Sequence, residues 1–121
     1  MQFASVRIIT ADVARLVAFY ERALGVAATW ATEHFAELRA EGATLAIAGT
    51  ATVPMFAPGS ARPAANDSAI IEFHVDDVDR VHKELGDFLT DVVNGPTTMP
   101  WGNRSLLFRD PDGNLVNFFT R

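Results

Sequence analysis

The sequence contains no cysteine, a single lysine (Lys83) and no long hydrophobic run. The absence of cysteine excludes disulfides, thiol nucleophiles and thiolate metal sites. No apolar segment approaches the roughly 20 residues that a membrane helix needs, so we expect no membrane association. The first residues also lack the basic segment and apolar run of a secretory signal. We therefore expect a cytoplasmic protein.

The charge balance argues against one class of partner. Fifteen acidic residues face ten basic ones, which gives a net charge of -5. Nucleic-acid binding needs a basic surface, so no nucleic-acid partner is expected. The length of 121 residues predicts one domain, and the 49% hydrophobic content is enough to build a core.

A turn sequence near the end of the chain is the most informative local signal. Residues 110–114 read Asp-Pro-Asp-Gly-Asn and lie between two apolar runs. Pro111 presets φ for the second turn position, and Gly113 supplies a position with positive φ. The pattern predicts a hairpin with arms from Ser105 to Arg109 and from Leu115 to Thr120.

The first half of the chain reads as a strand, a helix and three short strands. Residues 3–10 are strand-like, and Asp12 is a suitable N-cap for an amphipathic helix that ends near Leu24, before Gly25. The spacing then predicts strands over 27–31, 35–40 and 43–48. The stretch of about 51–68 is rich in Ala, Pro, Gly, Ser and Thr and reads as a linker or a long loop.

The second half restarts the same pattern. Residues 69–75 read as a strand, and Asp77 can cap a helix that runs to about Leu89. Shifting the chain by 65 places Asp77-Val78-Asp79-Arg80-Val81 over Asp12-Val13-Ala14-Arg15-Leu16. The recurrence predicts two βαβββ modules, about 1–50 and 69–121, although a chance recurrence of a common pattern is the alternative. The expected fold is therefore α+β, a cupped mixed sheet built from both modules with helices on its outer face.

Several segments together resemble the vicinal oxygen chelate superfamily, which includes glyoxalase I, bleomycin resistance proteins and extradiol dioxygenases. The segments that carry the resemblance are Ser5–Asp12, Phe19-Tyr20 with Ala23-Leu24-Gly25, Phe73–Val78, Pro100–Ser105 and Phe108–Phe119. The small bleomycin-resistance-like members are the most similar. The resemblance implies a homodimer of paired modules with a cavity, which holds a divalent metal in the enzymatic members.

The metal-ligand positions that the resemblance implies fall on Ser5, Ile70 and Asn117. Serine is a poor ligand, isoleucine offers none, and a neutral amide is weaker than a carboxylate. We therefore expect no metal and no other cofactor. His74 with Glu72 as a displaced two-ligand site is the alternative.

Strand periodicity places further polar residues on the same face as these positions. Arg7, Glu72 and His74 alternate with apolar neighbours and point to the cavity side with Asn117. Arg7 and Glu72 are equivalent under the 65-residue shift, so we expect a polar cluster that could anchor a polar group of a ligand. A structural ion pair that lines a partly wet cavity is the other interpretation, and the sequence alone favours it.

Four aromatic side chains are candidate walls of a binding pocket: Trp30, Phe35, Phe56 and Trp101. Such rings stack on flat or cationic ligands, and ordinary core or dimer packing is the alternative. The favoured function is a non-enzymatic binder of an aromatic or cationic, antibiotic-like small molecule. The alternatives are a metal-dependent lyase, isomerase or dioxygenase, and an accessory module with a vestigial cavity.

Overall fold

The chain forms two four-stranded mixed sheets, one in each half. The computed structural model describes residues 1–121, which divide into two units, Met1–Ala65 and Asn66–Arg121. Each unit contains the βαβββ order that the sequence predicts, and the α+β class is confirmed.

The first unit contains one sheet, one long helix and one short helix. Its elements are β1 (Val6–Thr10), α1 (Val13–Leu24), β2 (Thr29–Thr32), β3 (Phe35–Ala40), β4 (Ala43–Gly49), a 3₁₀ turn (Thr50–Thr52) and α2 (Val53–Phe56). The strand order is β1-β4-β3-β2, with β1 parallel to β4 and the other neighbours antiparallel.

The second unit repeats this topology. Its elements are β5 (Ile70–His74), α3 (Val78–Leu85), a 3₁₀ turn (Gly86–Phe88), β6 (Val92–Thr98), β7 (Arg104–Arg109) and β8 (Leu115–Thr120). The strand order is β5-β8-β7-β6, again with one parallel pair, β5 and β8. None of the helices combines the length and hydrophobicity needed to cross a bilayer.

The repeat extends to the hydrogen bonds that begin the two helices. The carboxylate of Asp12 accepts a bond from the backbone N–H of Arg15 at 3.1 Å. At the equivalent position in the second unit, Asp77 accepts from the N–H of Arg80 at 3.0 Å. Each bond satisfies one of the unpaired N–H groups of a helix start, as an N-cap should.

Both sheets pack one face against their long helix. Leu16, Val17 and Tyr20 of α1 are buried, and α1 lies against β3 and β4. In the second unit, Phe118 of β8 is buried between Phe73 and Phe108 with edge-to-face ring contacts. Successive residues of a strand point to opposite faces of the sheet. Arg7 and Glu72 therefore lie on the faces opposite α1 and α3.

The predicted terminal hairpin is confirmed, and its turn is held from inside by Asp110. The carboxylate of this buried residue accepts bonds from the backbone N–H groups of Asp112 and Asn114, both at 2.9 Å. It also accepts from the Asn114 side-chain amide at 2.8 Å. Gly113 adopts φ 84°, the left-handed conformation that the turn requires.

Four details differ from the sequence prediction. The first strand begins at Val6 rather than residue 3, and α3 ends at Leu85 because Gly86 turns out of the helix with φ 48°. The segment assigned to a linker contains the short helix α2. The position of strand β6, which the predicted βαβββ order includes, was not identified, because its Gly95-Pro96 pair is typical of a turn.

An ion pair joins α3 to β7. The guanidinium of Arg104 donates to both carboxylate oxygens of Asp79, each at 2.8 Å. These hydrogen bonds from Arg104 lower the pKa of Asp79 below its ordinary value of 3.8. A carboxyl whose pKa is lower in the folded state contributes stability above its unfolded pKa. That contribution is lost as the pH falls through its folded pKa.

We therefore expect Asp79→Asn to lower the urea midpoint of unfolding at neutral pH. The gap between the variant and the wild type should begin to narrow as the pH falls below about 4, and it should close as the pH passes through the lowered folded pKa of Asp79, where the wild-type carboxyl becomes protonated as well. Asp87→Asn removes an exposed carboxylate with no comparable partner and serves as the control. A gap for Asp79→Asn that stays constant from neutral to acidic pH would contradict the assignment.

Candidate functional site

On the face of the first sheet opposite α1, large side chains of β1 and β3 flank two alanines of the strand between them, β4. Cross-strand register places Arg7 beside Ala46, and it places Ile9 and Phe35 on either side of Ala48. Ala46 and Ala48 are the side chains of β4 that lie between Arg7 and Ile9 on β1 and Phe35 on β3. Their short side chains leave space for the longer residues of β1 and β3 to approach each other above the sheet.

Arg7 uses this space to contact two aromatic rings. Its guanidinium carbon lies 4.9 Å from the ring centroid of Phe35 and 4.8 Å from that of Phe56. Both distances are within the roughly 6 Å range of a cation–π contact. Phe56 reaches the sheet because α2 follows β4 directly through the 3₁₀ turn. Within the first unit, the side chain of Arg7 forms no ion pair with a carboxylate.

A cavity of about 290 Å³ adjoins this cluster, which we call the Arg7 pocket. Its lining comes from β1 and from the segment after β4: Arg7, Ile9, Thr52, Val53, Phe56, Ser60 and Ala61. The Thr52 hydroxyl donates to the carbonyl of Gly49 at 2.8 Å, which fixes the 3₁₀ turn beneath the pocket. The walls are therefore mainly apolar, with two hydroxyls and one guanidinium.

The electrostatics of the Arg7 pocket are set by one positive charge. Arg7 is the only ionisable residue in the lining. The carboxylate of Glu37 lies in the same row two strands away and accepts a bond from Arg39 at 3.3 Å. The nearest acid on this sheet face is thus already paired with another arginine.

The corresponding face of the second unit has a different polar pair. Glu72 and Asn117 are register partners on β5 and β8, and the Asn117 amide donates to the Glu72 carboxylate at 2.9 Å. The amide oxygen of Asn117 is buried and accepts no hydrogen bond. In the next row, the ring of His74 packs edge-on against Phe119 at 5.6 Å between centroids.

The residues at the implied metal positions do not fit a divalent metal. Ile70 has no donor atom, and Asn117 offers only a neutral amide oxygen, which is a weaker ligand than a carboxylate. A family-type site needs several imidazole or carboxylate ligands. No group of three or more His, Cys, Asp or Glu side chains is placed to share an ion. The expectation of a metal-free protein stays a prediction.

Neither tryptophan is among the residues that line the Arg7 pocket. Trp30 pairs with Ala36 on β3, which places it on the α1 side of the sheet, opposite Arg7. Trp101 lies in the hairpin turn between β6 and β7 and is 72% exposed. Neither lines the Arg7 pocket, so a ligand contact at either position stays a prediction.

Sequence reasoning found part of this site. Of the eight residues predicted to bind a ligand, Arg7, Phe35 and Phe56 come together in the first unit. Glu72 contacts Asn117 in the second, and His74 lies in the row beside them. The predicted pairing of Arg7 with Glu72 involves both units and stays a prediction. The pocket residues that were missed are Thr52, Val53, Ser60 and Ala61.

One sequence signal pointed to the missed residues. Pro54 lies in the first turn of α2, where proline costs no helical hydrogen bond. A Thr-Val-Pro sequence directly after a strand is therefore compatible with a short helix. The Ala- and Pro-rich composition of the surrounding segment favoured a linker instead.

Comparison with known proteins identifies the family. The model of the "Glyoxalase/Bleomycin resistance protein/Dioxygenase superfamily" matches residues 2–118. Comparison with curated proteins gives no significant match.

Solved structures share the fold at low sequence identity. A "conserved domain protein" is 28% identical with a TM-score of 0.77, and the match covers 99% of this chain and 98% of that one. A protein of unknown function from Agrobacterium tumefaciens is 23% identical with a TM-score of 0.85, covering 100% and 94%. A glyoxalase/bleomycin resistance protein/dioxygenase from Nocardioides is 19% identical with a TM-score of 0.80, covering 99% and 83%. From the family match over nearly its whole length, the chain belongs to the glyoxalase/bleomycin resistance protein/dioxygenase superfamily.

Proposed function

We propose that this protein is a non-enzymatic small-molecule binder whose ligand occupies the Arg7 pocket. The observation that carries the proposal is the position of the Arg7 guanidinium, packed against Phe35 and Phe56 beside the cavity. Bleomycin resistance proteins are among the proteins that the family description names, and a binding role agrees with that part of the family.

The size and chemistry of the Arg7 pocket support a small ligand. Its volume of about 290 Å³ lies near the lower end of the range for ligand sites. Ile9, Val53 and Phe56 supply apolar surface, while Arg7 offers one strongly polar group. Apolar walls with few polar groups are typical of sites that bind and orient a small molecule.

The lining favours binding over catalysis. General acid–base chemistry uses a titratable side chain within hydrogen-bond reach of the reacting proton, most often His, Glu or Asp. The side chains around the Arg7 pocket are an arginine, two hydroxyls and apolar groups. An arginine stays protonated near neutral pH, so it can hold a negative group but is a poor proton acceptor.

We expect the ring of Phe56, which lines the Arg7 pocket, to contribute measurably to the affinity for a ligand. A fragment library with cationic, neutral and anionic members should give ligands that bind one per chain and are recovered unchanged. For the best of them, Phe56→Ala should weaken binding about 2- to 10-fold, the worth of one aromatic contact. Isothermal titration calorimetry provides the affinity and the stoichiometry.

Met55→Ala is the matched control. Met55 and Phe56 are adjacent on α2 and similarly exposed, at 77% and 72%, but only Phe56 lines the pocket. Equal effects of the two substitutions, or a library without any binder, would contradict the proposal.

The competing hypothesis is a metal-dependent lyase, isomerase or dioxygenase. It requires a bound ion, so elemental analysis of protein purified without chelator separates the two. Less than about 0.1 metal per chain supports the binder, and near-stoichiometric metal supports the enzyme. Homodimerisation and a cytoplasmic location stay predictions from the sequence.

A further inference from the structure

We infer that the ligand of the Arg7 pocket is a small carboxylate with a flat apolar body, and that Arg7 binds its carboxylate group. The inference rests on the proposed function and names the chemical class of its ligand. It replaces the cationic part of the sequence-based expectation, because a cation in this pocket would meet the positive charge of Arg7 without a compensating acid in the lining.

The contacts of Arg7 leave its hydrogen-bonding capacity available. A guanidinium carries five N–H donors in its plane, and aromatic rings pack against its flat faces. The guanidinium carbon of Arg7 lies over the rings of Phe35 and Phe56, 4.9 and 4.8 Å from their centroids, and neither ring is a carboxylate or carbonyl acceptor for its N–H groups. By contrast, Arg104 in the second unit commits its donors to Asp79. Within the first unit, Arg7 has no such partner.

The two rings also prepare Arg7 for binding. An unrestrained arginine loses considerable side-chain freedom when it fixes a ligand. Contact with both rings removes part of that freedom before the ligand arrives. A preorganised guanidinium matches the two oxygens of a carboxylate with parallel hydrogen bonds.

The single charge and the neighbouring groups favour a carboxylate over a phosphate. One guanidinium balances one negative charge, whereas a phosphate dianion needs further donors. Thr52 already gives its hydroxyl proton to Gly49, which leaves only the Ser60 hydroxyl as another side-chain donor in the lining. The net charge of -5 opposes anions only weakly at the pocket, since salt screens exposed charges beyond about 8–10 Å.

Three probes of nearly identical shape test the inference: benzoate, benzamide and benzamidine. They carry a negative, a neutral and a positive group on the same ring. Titrations at neutral pH, followed by the ¹⁵N–¹H spectra of the protein, give the three dissociation constants. We expect benzoate to bind at least about tenfold more tightly than either of the others.

Substitutions at Arg7 identify the group responsible. Arg7→Gln should weaken benzoate binding about 10- to 100-fold, to the level of benzamide. Arg7→Lys should recover part of the loss, because lysine keeps the charge but lacks the planar pair of donors. Arg80→Gln removes an exposed arginine of α3 that is outside the lining and pairs with Glu84 on its own helix, and it should leave benzoate binding unchanged.

The outcomes separate this inference from the proposed function. If benzamide or benzamidine binds as tightly as benzoate, or if Arg7→Gln leaves benzoate binding intact, the carboxylate inference is overturned. The proposed function survives that result when fragment binding still depends on Phe56. If none of the three probes binds and the fragment library also gives no ligand, both fail.

Discussion

Replacing Asp110 with alanine is expected to lower the free energy of unfolding by about 3 kcal/mol. The carboxylate is buried and accepts bonds from the backbone of Asp112 and from the backbone and side chain of Asn114. Alanine would leave these donors without an acceptor in the hairpin turn. The cost of such unpaired groups is greater than the net value of the bonds themselves.

Urea unfolding at neutral pH measures this loss, with Asp91→Ala as the control. Asp91 is an exposed aspartate whose backbone carbonyl, not its carboxylate, accepts a bond from Arg109. Its substitution should change the stability by no more than about 0.5 kcal/mol. If Asp110→Ala does not fold, Asp110→Asn retains one acceptor oxygen and should show an intermediate loss. Equal stability of Asp110→Ala and Asp91→Ala would contradict the role assigned to the turn.

The second large effect is expected at Phe118, where alanine should cost about 3–5 kcal/mol. Phe118 is 1% exposed, and its ring lies 5.7 Å from that of Phe73 and 5.0 Å from that of Phe108. Removing the ring would leave a cavity that these two neighbours cannot fill without leaving their own packing. The aromatic contacts themselves would also be lost.

Phe119 is the natural control because it follows Phe118 on the same strand and points to the opposite face. It is half-buried and contacts the ring of His74. Phe119→Ala should therefore cost less, about 1–2 kcal/mol by its smaller buried area. If Phe118→Ala is insoluble, Phe118→Leu can replace it with an expected loss of about 1–2 kcal/mol. A larger loss at position 119 than at 118 would show that the two faces of β8 are assigned wrongly.

The sequence predicted those parts of the fold that are determined by residues close together in the chain. The helix starts follow from Asp12 and Asp77, whose carboxylates bond to groups three residues ahead. The terminal hairpin follows from Pro111 and Gly113 in the same way. Strand β6 has no such local cause, and its pairing with β7 shifts register twice, between Val92 and Asn94 and again between Asn94 and Thr97. The formation of an irregular edge strand of this kind depends on pairing with its neighbour, here β7, which the sequence of the strand itself does not reveal.

In the candidate site, too, the sequence predicted what depends on neighbouring residues and did not predict what depends on contacts between distant parts of the chain. Alternation along β1 was sufficient to place Arg7 away from the helix. Its contacts with Phe35 and Phe56 depend on the register of three strands and on a helix inside the predicted linker. Trp30 was selected for its aromatic ring, yet pairing with Ala36 places it on the other face. Residue type alone did not reveal which aromatic side chains line the pocket.

The location of the bound ligand on the protein decides whether the Arg7 pocket is the binding site. The tightest ligand from the charge-diverse fragment library is titrated into ¹⁵N-labelled protein with assigned backbone resonances. We predict that the largest shift changes fall on residues that line the Arg7 pocket, such as Ile9, Val53 and Ala61. Changes centred instead on Glu72 and His74 of the second unit would contradict the claim that the Arg7 pocket is the binding site.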